Sequence, residues 1–244
     1  MAGVGNPAAR GIRTDRVRQG HTGGVRHEPA IAQQLLKPRL RGWVHAVAFP
    51  TVTVAGLVLV TLAPTLAARA ASAVYTLSAM LLFGVSALYH RGSWLDRGSA
   101  ILRRLDHANI FLLIAGTYTP YAVLLLPRTS AVVLLSIVWV GAVLGVAFRV
   151  FWIRAPRWLY TPLYVVLGWT AVFWLDDFLR SGGIAPVVLM LAGGLSYSLG
   201  AVAYGLRRPD PWPTVFGYHE VFHAFTVVGF ACQYVGISLL VYSM

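Results

Sequence analysis

The stretch GYHEVFHAFT, Gly217 to Thr226, opens an apolar run that continues to about residue 242. It places His219, Glu220 and His223 in an H-E-x-x-H pattern. Residues four apart on a helix share one face, so the two imidazoles can present nitrogens to one metal ion. The fold depends on whether this helix belongs to a water-soluble protein or crosses a membrane.

The whole chain decides for the membrane. Its 244 residues are 57% hydrophobic and only 11% charged, with a mean hydropathy of +0.67. Soluble domains carry about 25% charged residues. Crossing about 30 Å of hydrocarbon takes roughly 20 mostly apolar residues. Seven such segments are predicted, at about 44–66, 70–90, 105–126, 130–149, 158–176, 184–205 and 216–242. The fifth is the weakest, since it contains Pro162 and ends in Asp176-Asp177. Pro120 in GTYTPY predicts a kink, with Thr117 and Thr119 near enough to serve a freed backbone group. The reading is an all-α membrane protein, a seven-helix transmembrane bundle over 37–244, preceded by a disordered basic tail at 1–36. The tail has no apolar centre and so does not read as a cleavable signal peptide; it reads either as a contact for anionic lipid or as a start-site artefact or solvated tail.

The basic residues set the orientation. Seventeen of the twenty Lys and Arg fall in the N-terminal segment and in the gaps after spans two, four and six. Only Arg69, Arg128 and Arg180 fall on the other side. Basic loops stay inside, so the N-terminus is expected in the cytoplasm and the C-terminus outside. The net charge of +12 thus follows membrane topology. It does not form a nucleic-acid surface, because no basic and aromatic residues interleave along a groove. The single cysteine, Cys232, excludes an internal disulfide and a cysteine-rich zinc site.

Ionisable groups within spans are expensive, so each needs a reason. In this topology span two ends at His90, span three begins at Asp106, and span seven begins with His219 and His223. At 1.5 Å per residue, all lie within roughly 10 Å of the same, cytoplasmic, end. His90 is therefore the natural third ligand beside His219 and His223, leaving a fourth position open on zinc. Ser86 lies one turn before His90 and can hydrogen-bond a ligand, a water or Asp106. Asp106 can orient a water and take its proton. His107 is read as interfacial or loop-facing, His45 in RGWVH as an anchor at the headgroup boundary, and Glu220 as a solvated or arginine-paired carboxylate.

The stretches KPRLRGWVH (37–45), SALYHR (86–91), LDHANIFLLIAGTYTP (105–120) and GYHEVFHAFTVVG (217–229) resemble the hemolysin III family, within the progestin and adiponectin receptor superfamily. The resemblance implies a seven-helix bundle with zinc near the cytoplasmic face. Its three histidines map onto His90, His219 and His223, and its serine and aspartate onto Ser86 and Asp106. Superfamily relatives imply a zinc-dependent hydrolase of lipid amides in a bacterial plasma membrane, with membrane lipids as partners, Asp106 as base and Ser86 as oxyanion donor. The alternative is a non-enzymatic receptor or regulator of membrane state with structural zinc. A cytolysin, the literal sense of the family name, sits poorly with seven apolar spans and no export signal. An H-E-x-x-H protease needs a further ligand after His223, where the chain holds no Asp, Glu or His.

Overall fold

The computed structural model describes residues 38–244 and Gly3. The basic tail read at 1–36 lies outside the described residues, Gly3 apart. The described residues form eight α-helices: α1 (Trp43–Leu62), α2 (Leu66–Arg91), α3 (Asp96–Leu125), α4 (Arg128–Phe151), α5 (Arg157–Gly168), α6 (Leu175–Gly182), α7 (Ile184–Leu206) and α8 (Tyr218–Tyr242). Among the described residues the strand content is one isolated bridge, Trp212 to Phe216. Among the described residues seven segments are long and apolar enough to cross a membrane, with α5 and α6 forming one of them, Arg157–Gly182. The predicted fold class is therefore observed, and the chain is a multi-pass membrane protein.

Helix limits follow local chemistry. Pro64, Pro127 and Pro156 lie in the turns after α1, α3 and α4. Thr65 caps α2 by accepting from the Ala68 N–H at 3.2 Å. Large apolar side chains such as Leu57, Val143 and Leu199 point outward, whereas the interior holds small residues such as Ala68, Ala79, Ala115 and Ala142. That is the pattern expected where lipid replaces water and helices approach through small residues. At Gly116 a Cβ atom would strike the Ser78 hydroxyl of α2. Consecutive helices pack side by side, and α1 also meets α8, which closes the bundle.

Three expectations need correction. First, α3 begins at Asp96, not near 105, so Asp106 sits in its third turn. Arg97, Arg103 and Arg104 depress the apolar signal of these turns without stopping the helix. Second, α3 runs unbroken through Pro120, but Thr117 and Thr119 bond the carbonyls of Leu113 (2.7 Å) and Ala115 (2.9 Å). Proline at 120 frees the carbonyl of Gly116 instead. Third, the fifth span, read as one helix over about 158–176, breaks after Gly168, and a 3₁₀ turn at Thr170–Trp174 separates α5 from α6. The Tyr118 hydroxyl of α3 bridges this break, donating to the Gly168 carbonyl at 2.6 Å and accepting from the Ala171 N–H at 2.8 Å. Irregular backbone at membrane depth survives only where such partners satisfy it.

Candidate metal centre

The centre forms where the end of α2, the third turn of α3 and the start of α8 meet. The entry of the chain into α8 is fixed by carboxylates. Asp210 accepts from the Tyr218 N–H at 2.9 Å, and Glu220 accepts from the Gly217 N–H at 2.8 Å. Both satisfy helix N-terminal donors and complement the helix dipole. His219 and His223 then project inward from the first two turns of α8.

His90, His219 and His223 are buried and each offers one ligand atom, all within 4.8 Å of one another. The Nε2 atoms of His90 and His219 are 3.2 Å apart. Two nitrogens on a tetrahedral zinc, each about 2.0–2.1 Å from it, would be separated by about 3.3–3.4 Å. The rings also meet at steep angles, 71° for His90 with His219 and 64° for His219 with His223, so their lone pairs converge without the rings stacking. The donor set therefore fits one metal ion.

Asp106 stands beside this group, with Oδ2 3.6 Å from His90 Nε2 and 3.8 Å from His107 Nδ1. Ser86 is fully buried near Asp106, but its hydroxyl closes no hydrogen bond of ordinary geometry. All five residues singled out in the sequence thus gather at one end of the bundle. His219, His223, Asp106 and Ser86 also line a cavity of about 130 Å³. Its walls continue through Ile110, Leu113, Phe222 and Met190 to Gln233, so the polar end opens into an apolar interior.

The residues around the ligands differ more from expectation. His107 faces inward: its Nδ1–H donates to the Arg103 carbonyl at 2.8 Å, and its Nε2 lies 3.3 Å from the Tyr204 hydroxyl. Tyr204 of α7 is a site neighbour that span-by-span reading missed, because its polar tip is recognisable only once α7 is packed. Glu220 is arginine-paired as read, but it is not solvated. It is fully buried and forms an ion pair with Arg41, just before α1. His45 is not a headgroup anchor. It is 2% exposed and lies flat on His223, with ring centroids 3.7 Å apart and planes 11° apart. Its misreading has a physical cause. Arg39 and Leu40 donate backbone hydrogen bonds to Thr214 and Val215, each at 3.0 Å, and draw the start of α1 down onto the site. RGWVH lies within KPRLRGWVH, one of the stretches that carry the family resemblance.

Fold and donor set together define a seven-span membrane protein with a buried three-histidine centre. Residues 33–234 match the family described as haemolysin-III related, and the chain belongs to that family. It is 32% identical over 161 residues to the hemolysin-3 homolog of Bacillus subtilis (strain 168), covering 66% of this chain and 72% of the relative. It is 33% identical over 170 residues to hemolysin-3 of Bacillus cereus, covering 70% and 74%. A plant protein, the heptahelical transmembrane protein ADIPOR2 of Oryza sativa subsp. japonica, is 29% identical over 184 residues, covering 68% and 80%. The last match ties the chain to the wider progestin and adiponectin receptor superfamily.

Proposed function

We propose that the protein is a zinc-dependent hydrolase of lipid amides, acting in membrane lipid homeostasis. The supporting observation is that two of the three clustered histidines, His219 and His223, face the apolar cavity. Structural zinc sites are closed on all four sides, whereas catalytic ones keep a position for substrate or water. His90, His219 and His223 would hold the ion, and three neutral imidazoles suit zinc. When bound, zinc supplies Lewis acidity toward a carbonyl and a nucleophilic water near neutral pH.

The chain supplies the rest. Asp106 would take a proton and later return it to the departing amine. The Ser86 hydroxyl, buried beside Asp106, would donate to an oxygen that gains negative charge. Ile110, Leu113 and Phe222 line a path for an acyl chain, with its polar linkage at the histidines.

The test is turnover. Purified protein is expected to cleave at least one member of a panel of ceramides and other N-acyl lipids, and a chelator should abolish cleavage. Asp106→Asn is expected to lower kcat by about 10²–10⁴-fold while metal content stays at the wild-type level. No chelator-sensitive cleavage across a broad panel would refute the hydrolase and leave the regulator reading in its place.

We further propose that the centre lies toward the cytoplasm, as the basic residues around that end imply. A reporter enzyme that works only outside the cell is expected to be active when fused after Met244 and silent when fused after Arg154. The reverse result would invert the topology.

A further inference from the structure

We propose that the short segment from Arg41 to His45 is a positioning clamp on the three-histidine centre, in which the His45 ring sets the plane of His223. The proposal rests on the metal reading of that centre and assigns a task to residues outside the ligand set.

Three contacts carry it. Arg41 pairs with Glu220, whose other oxygen accepts from the Gly217 N–H, so Arg41 anchors the first turn of α8. That turn carries His219. Gly42 lies against α2: its φ is +81°, and a Cβ atom there would sit 2.5 Å from the Cβ of His90. Only glycine allows both that backbone and that approach. His45 then stacks on His223 and meets Phe83 edge-on, with centroids 4.9 Å apart. Phe83 in turn meets Phe230 edge-on at 5.3 Å. The imidazole of His223 is therefore backed by a continuous aromatic wall.

His45 is not a fourth ligand in this geometry. Imidazole lone pairs lie in the ring plane. An ion held in the plane of His223 lies off the nearly parallel plane of His45, where no lone pair points. Its two ring nitrogens close no hydrogen bond of ordinary geometry. What His45 offers His223 is a flat face.

The segment also accounts for Glu220 in the H-E-x-x-H stretch. Its two oxygens serve Arg41 and the Gly217 N–H, so neither faces the ion as a base would.

The test reads metal, not turnover. Full-length protein is purified as wild type, His45→Ala, His45→Phe, His90→Ala and Leu59→Ala. Zinc affinity is measured by chelator competition, and the visible absorption of the cobalt(II) form is recorded. His45→Ala is expected to weaken zinc binding about 10–100-fold, the usual loss for a residue that orients a ligand, and to shift the cobalt bands. His45→Phe keeps the face and removes the nitrogens, so it should bind zinc like wild type. Leu59, also buried in α1, lies about 21 Å further along the helix. Its alanine variant controls for loosened packing and should leave the cobalt bands unchanged.

Wild-type affinity in His45→Ala would overturn the clamp. So would loss of zinc in His45→Phe as complete as in His90→Ala, which would make His45 a ligand. A wild type that holds no metal would overturn the centre and the clamp together. Because no lipid enters the assay, failure of the hydrolase reading leaves these results unaffected.

Discussion

Replacing His219 and His223 together by alanine is expected to reduce bound metal from about one equivalent per chain to near zero, because His90 alone cannot hold an ion against water. The structure makes the loss specific. The two rings come from successive turns of α8, and each lies within reach of His90. Their removal leaves Asp106 and the Arg41–Glu220 pair in place. Folding and metal content should therefore separate. At free zinc about 1,000 times its Kd, binding adds about 4 kcal/mol to the stability of the wild type. A chelator should remove that increment from the wild type and change nothing in the double variant. Elemental analysis of both purified proteins, with a thermal unfolding curve before and after chelation, measures both effects. Full metal content in the double variant would place the site elsewhere.

The second large effect belongs to the Arg41–Glu220 pair. Glu220 is fully enclosed, while the Arg41 side chain keeps 20% of its surface exposed. The two halves are therefore not equivalent. Arg41→Leu leaves an uncompensated charge in the bundle and is expected to cost about 3–5 kcal/mol. Glu220→Gln should cost less, because the amide oxygen can still accept from Gly217 and the arginine can extend toward water. Arg41→Leu with Glu220→Leu should recover part of the loss from Arg41→Leu alone, since an apolar pair of similar size removes the stranded charge. Denaturation in mixed detergent micelles ranks the variants. If Arg41→Leu unfolds at the wild-type midpoint, the pair is not a significant part of the stability.

The seven spans were legible because each is a long apolar run, and the histidine cluster because costly groups recurred at one depth. Spacing alone joined His219 to His223, and antiparallel topology added His90 and Asp106. What escaped depends on contacts between distant segments. The fifth span breaks after Gly168, where the Tyr118 hydroxyl bridges it, while α5 accommodates Pro162. The depth of His45 depends on a backbone pairing with residues about 175 positions later. Asp96 to Arg104 extended α3 because arginines at a membrane boundary end the apolar signal without ending the helix.

The pairing of Arg39 and Leu40 with Thr214 and Val215 has a consequence for how the protein is made. The segment leading into the first span finds its partners only in the last loop, and His90 meets His219 across 129 positions. A chain grows at about 5–20 residues per second. His90 thus waits roughly 6–26 s after its own synthesis before His219 exists. A metal ion, if held by all three histidines, would therefore mark a chain whose eighth helix has been made and seated.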